Sequence, residues 1–92
     1  MDTLHIFGQF VWHDEAFIAG TPEALTMLRD AINAALEAKS VQKMETFVSD
    51  GEGYDIYILP LSEDEMKTVK RPYAADYAVD NDPESKYPWE VM

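Results

Sequence analysis

VQKMETFVSDGEGYDIYILPL, residues 41–61, decides how this chain folds. It reads either as two strands joined by a turn or as a glycine loop that cradles a ligand. Asp50-Gly51 is a hairpin signal, because glycine takes positive φ without steric cost, and Gly53 can do the same one step later in a longer or bulged loop. A phosphate cradle needs G-x-x-x-x-G-K-[ST], a row of N–H donors completed by a lysine. Here Asp50, Glu52 and Asp55 flank the glycines and would repel an anion. The EF-hand order of acids and glycine is absent too, so no calcium loop is expected. The turn reading wins, and it makes residues 41–49 and 54–61 a strand pair, with Pro60 near a strand end or on an edge.

Upstream, LHIFGQFVW (4–12) alternates Leu4, Ile6, Gly8, Phe10 and Trp12 with His5, Phe7, Gln9 and Val11, the period of a strand. HDE (13–15) breaks it, and AFIA (16–19) supplies a short second strand. Gly20 leads into TPEALTMLRDAINAALEAKS (21–40), where Thr21 is a natural N-cap, Pro22 suits the first helical position and Glu23 faces the positive end of the helix dipole. Leu25, Leu28, Ile32, Ala35 and Leu36 form one stripe, which predicts a helix over about 21–39 with those residues inward. Ser62 followed by Glu65 matches a capping box opening a short helix with Met66 and Val69, closed by Arg71-Pro72. The expectation is an α+β fold in the order ββαββ, a small antiparallel sheet covered on one face by the long helix. Residues 1–72 carry it, and 73–92 are an irregular C-terminal arm of the same domain.

Composition limits what such a domain does. At 92 residues it is one domain, and 47% hydrophobic with 12% aromatic residues is enough for a core. There is no cysteine, which removes disulfides, thiolate metal sites and a cysteine nucleophile. The opening MDTLHIFGQF lacks the basic start and apolar run of a secretory signal, and no segment approaches the ~18 apolar residues of a membrane span, so a cytoplasmic protein is expected. Eighteen acids against seven bases leave a net charge of -11. That disfavours direct contact with nucleic acid or anionic membrane and suits a basic protein partner.

Candidate sites are few. His13-Asp14-Glu15 is the one cluster suited to acid–base work, but neighbours in a turn project apart, and His5 is the other imidazole. Neither a G-x-S-x-G elbow nor an S-x-x-K pair activates a hydroxyl, although Thr26 and Ser49 are present, so no catalytic residue, metal or cofactor is expected. Lys67, Lys70 and Arg71 form a positive island with Tyr73 beside it, able to take a small nucleotide or else only to offset the preceding Glu63-Asp64-Glu65. Tyr73, Tyr77, Tyr87 and Trp89 crowd the C-terminal arm. Tyrosine and tryptophan are what interfaces favour, so these four with Glu63, Asp64 and Glu65 are the expected partner-binding residues.

AFIAGTPEALTMLRDAINAAL (16–36) followed by SDGEGYDIYIL (49–59) resembles small α+β proteins of bacteria and their phages, and some immunity proteins of toxin systems. A strand ends in glycine, a helix follows with a Leu-x-x-Leu-Arg core, and an acidic glycine turn closes a hairpin. The resemblance implies a non-catalytic protein that neutralises a toxin, a defence effector or a defence signal molecule. The expectations are therefore an acidic inhibitor of a larger basic partner or, alternatively, an oligomeric sponge (a homodimer or larger) for a nucleotide-type signal. A small enzyme with a His–carboxylate site is the third.

Overall fold

The computed structural model describes residues 3–8, 15–70 and 84–92. The chain forms two compact units, Met1–Ile6 with Phe17–Pro60 and Phe7–Ala16 with Leu61–Met92. Its elements are β1 (Leu4–Phe7), β2 (Phe17–Gly20), α1 (Pro22–Ala38), β3 (Gln42–Phe47), β4 (Gly53–Ile58) and α2 (Glu63–Thr68), then a 3-10 turn at Pro88–Glu90. The fold is α+β, with one main helix and two antiparallel two-stranded sheets, β1-β2 and β3-β4. The single sheet expected from the strand count is replaced by these two pairs. The reason is stagger. β1 and β3 meet in one parallel bridge, Thr3 to Phe47, and β3 ends there while β1 is only beginning.

The hairpin that the opening stretch promised is present. Met44 faces Ile56, Thr46 faces Tyr54 and Phe47 faces Gly53 across β3 and β4. Gly51 takes φ 93° at the tip, its N–H donates to the Val48 carbonyl at 3.0 Å, and the Asp50 carboxylate accepts the Glu52 N–H at 3.0 Å. Gly53 does not share the positive φ: it is the first residue of β4. A side chain at Gly51 is strained whatever space surrounds it. Gly51→Ala is expected to cost about 1–2 kcal/mol in urea denaturation, whereas Gly53 lies in ordinary extended backbone. On the outward face Glu45 sits opposite Asp55, a like-charged pair that costs stability, and Lys43 at 3.8 Å from Glu45 offsets part of it.

Helix α1 begins and ends as its sequence dictates. The Thr21 hydroxyl accepts the Ala24 N–H at 3.2 Å, Pro22 occupies the first position and Lys39 closes the helix in the left-handed region at φ 52°. The inward face matches the expected stripe at Leu28 and Ala35 but not at its other large side chains. Ala24, Leu28 and Ala35 are buried and Ala31 packs beside them, while Leu25, Ile32 and Leu36 are 41%, 40% and 63% exposed. Helical spacing puts Ala24, Ala31 and Ala35 on one line. Small side chains let the helix come close to its neighbours, which leaves the bulkier flank turned outward.

The core cluster joins Leu4, Ala24, Leu28 and Met44, with Ile56 and Ile58 packed against it. Tyr54 ties hairpin to first strand: its hydroxyl donates to the Leu4 carbonyl at 2.6 Å, and burial raises its pKa, keeping the phenol protonated as a donor. At Gly20 a Cβ would lie 2.7 Å from Leu4 Cδ1 and 3.0 Å from the Thr3 carbonyl, so a side chain there would force the buried Leu4 to shift. Among the described residues no helix is long and apolar enough to cross a membrane.

Candidate functional site

Side chains suited to recognition converge in the second unit. Ser62 caps α2 by accepting the Glu65 N–H at 3.1 Å, and the Glu65 carboxylate returns the bond by accepting the Ser62 N–H at 2.9 Å. The helix stops at Val69, which is extended, and the chain then pairs with the C-terminal segment. Val69 bridges Lys86 in parallel, the Lys70 N–H donates to the Lys86 carbonyl at 2.8 Å, and the Lys86 N–H donates to the Thr68 carbonyl at 2.8 Å. These bonds hold residues 68–70 beside 85–87.

That pairing brings Lys70 to Tyr87. The Lys70 ammonium lies 5.1 Å from the centre of the Tyr87 ring and donates to the Ser85 hydroxyl at 3.2 Å. Trp89 stacks on Tyr87, with ring centres 4.5 Å apart and planes within 5°. Proline at 88 and the 3-10 turn fold the chain so that side chains two apart lie face to face, and the Tyr87 N–H donates to the Glu90 carboxylate at 2.7 Å. The result is an ammonium, a phenol ring and an indole in a row. Trp89 remains 65% exposed, so a large aromatic surface stacked on Tyr87 stays open to solvent.

The other sequence candidates are distributed differently. Lys67 sits 3.8 Å from the Asp64 carboxylate, apart from the Lys70 cluster in its bonding, and Arg71, Tyr73 and Tyr77 lie outside the described residues. Of the α2 acids, Glu65 is engaged in its own cap, and Glu63 and Asp64 point to solvent in the first turn. The two bonds from Ser62, backbone first and hydroxyl second, hold the Glu65 pKa below its ordinary 4.5. A lowered value means the cap's contribution is present above the unfolded pKa and is lost as pH falls through the folded one. Acidification through and below the ordinary carboxylate range is therefore expected to fray α2 before the core opens, read as loss of Glu65 amide protection by NMR, and Glu65→Gln is expected to remove that pH dependence.

His13 and Asp14 lie outside the described residues, and Glu15 is exposed. His5 has a structural use: its Nε2 accepts the Ser49 N–H at 3.1 Å, fastening β1 to the hairpin turn. Among the described residues no group of three or more His, Asp or Glu side chains gathers to hold a metal. Sequence reasoning missed one feature, an open groove of about 600 Å³ between α1 and β3. Met27, Ala31, Met44 and Phe47 form its floor, and Asp30, Lys43 and Glu45 its rim. The signal for it was available in the surplus of apolar positions on α1 beyond a single stripe. Its rim charges are spent on neighbours, Asp30 on Arg29 at 3.1 Å and Lys43 on Glu45, so nothing converges on a ligand.

Comparison with protein-family models, with curated proteins and with solved structures found no match for this chain.

Proposed function

We propose that this chain is a small acidic, non-catalytic binding protein that neutralises a larger, basic protein partner, anchored on the Tyr87–Trp89 stack. The observation that carries the reading is the exposure of Trp89 in a fixed geometry. An indole already stacked on a neighbouring ring offers contact area at a reduced ordering cost on binding, and tryptophan and tyrosine dominate the side chains whose loss cripples an interface. The surrounding charge selects the partner. A surplus of -11 attracts a basic surface over a Debye length, and the open face of an indole is the best aromatic seat for an arginine guanidinium. The immunity-type likeness of residues 16–36 and 49–59 supports the same reading. A toxin or defence effector is the class of partner it suggests.

One observation favours a second reading. Lys70 and Ser85 beside two stacked rings offer a cation, a hydroxyl and a planar face, which together suit a nucleotide-type signal sequestered by an oligomer. Net charge works against it, because an anionic ligand must approach a strongly anionic chain. Native mass spectrometry of the protein purified from cells separates the two: a retained nucleotide supports the sponge, and a salt-sensitive protein complex supports the inhibitor.

A further inference from the structure

The strand β2, FIAG, is exposed along its whole length, with Phe17 at 58% and Ile18 at 57%. Among the described residues it pairs with β1 alone. The bond in which the Thr21 N–H donates to the Thr3 carbonyl at 3.1 Å fixes its orientation. Backbone groups of alternate residues in a strand point to opposite edges, so Ala19 turns its N–H and C=O toward β1 with Thr21, while Ile18 and Gly20 turn theirs to the open edge. The same bond puts Leu4 opposite Gly20 and Ile6 opposite Ile18, in agreement with the close approach at Gly20. Ile6 and Ile18 therefore share one face, 49% and 57% exposed.

Exposed edges are normally blunted by charge or proline. The edge strand β4 carries Asp55 and is followed by Pro60; β2 carries no charged residue, and Pro22 follows it at the same spacing, within α1. On a chain with a net charge of -11, β2 is an uncharged edge where two copies can meet without opposing carboxylates.

We propose that β2 is a self-association edge, at which two copies pair antiparallel about a two-fold axis through Ile18 into a continuous sheet β1-β2-β2-β1. A two-fold axis perpendicular to a sheet requires opposed residues to share a face, which puts Ile18 against Ile18 of the second copy and Phe17 against its Ala19. Ile18 lies at the axis with its backbone groups facing outward, so the two copies exchange a pair of N–H···O bonds there. On one face Ile6, Ile18 and their two counterparts form an unbroken apolar row. On the other, the phenyl ring of Phe17 lies over alanine, large against small. A second copy is the fitting occupant because it brings the same uncharged edge in the complementary register. The contact is small, so dissociation in the micromolar range is expected. Because two like-charged chains repel, salt strengthens this dimer, the reverse of its effect on a basic partner.

Sedimentation velocity from about 1 to 500 µM tests this with the wild type, Ile18→Lys and, as a control on the other edge, Tyr57→Lys. The expected result is a wild-type dimer tightened by salt, a weakening of at least about ten-fold in Ile18→Lys, where two ammonium groups face each other at the axis, and no change in Tyr57→Lys. Hydrogen exchange on the wild type reads the contact directly, with Ile18 and Gly20 amides protected in proportion to dimer. A wild type that stays monomeric at the top concentration, an Ile18→Lys chain that dimerises like the wild type, or Ile18 and Gly20 amides that exchange freely in the dimer would overturn the proposal. Protection of those amides at concentrations where the chain is monomeric would overturn it equally, since another strand would then hold the edge.

Discussion

Replacing Leu4 with alanine is expected to lower stability by about 3 kcal/mol, within the 2–5 kcal/mol that large-to-small changes at closed core sites cost. Leu4 is fully buried and stands where β1, α1 and β3 meet, against Ala24, Leu28 and Met44. The surroundings cannot collapse into the gap easily: Ala24 has no reach, Leu28 is held on the helix, and Gly20, which also lies against Leu4, has no side chain to move in. For a domain of this size such a loss is roughly a fifth to three fifths of the total and lowers the melting temperature by roughly 12–24 °C. Leu36→Ala is the informative comparison. Periodicity assigns Leu36 to the core stripe, but at 63% exposure its truncation is expected to change stability by less than about 0.5 kcal/mol. Equal losses at the two positions in a denaturant titration would contradict the observed rotation of α1.

Trp89→Ala is expected to leave that stability nearly untouched and to weaken partner binding by about 30-fold or more, the signature of a central interface anchor. Trp89 is 65% exposed, stacks on Tyr87 and is not a member of the core cluster, so its removal leaves that cluster's packing intact. Truncation deletes the indole surface and frees Tyr87 to reorient over Lys70. Trp89→Phe is expected to recover part of the affinity, since a smaller ring still stacks. An intact fold with unchanged binding after Trp89→Ala would remove the anchor from the reading, and a drop in stability equal to the drop in affinity would make the stack merely structural.

Local chemistry was legible in the sequence because it depends on adjacent residues. Thr21 and Ser62 as caps, Pro22 at the first helical position and Gly51 at the turn all sit where the pattern put them. Long-range geometry was not. Counting apolar bulk favoured Leu25, Ile32 and Leu36 as the inward flank, and the choice of the alanine line depends on how closely α1 approaches β3, which no window of sequence contains. The division into two strand pairs likewise rests on the stagger between Thr3 and Phe47, residues far apart in the chain. For the site, Tyr87 and Trp89 were recognisable as interface residues and Lys70 as part of a positive island, but their meeting depends on the parallel bridge from Val69 to Lys86. The island was expected to use Tyr73 as its aromatic, and among the described residues it is Tyr87 that Lys70 meets.

Affinity capture from the native host, with wild-type and Trp89→Ala baits side by side at about 50 and 500 mM salt, tests the proposed role most directly. The expected result is a basic protein retained by the wild type at low salt, released at high salt and absent from the Trp89→Ala bait. Retention indifferent to both salt and Trp89, or recovery of a nucleotide in place of a protein, would contradict it.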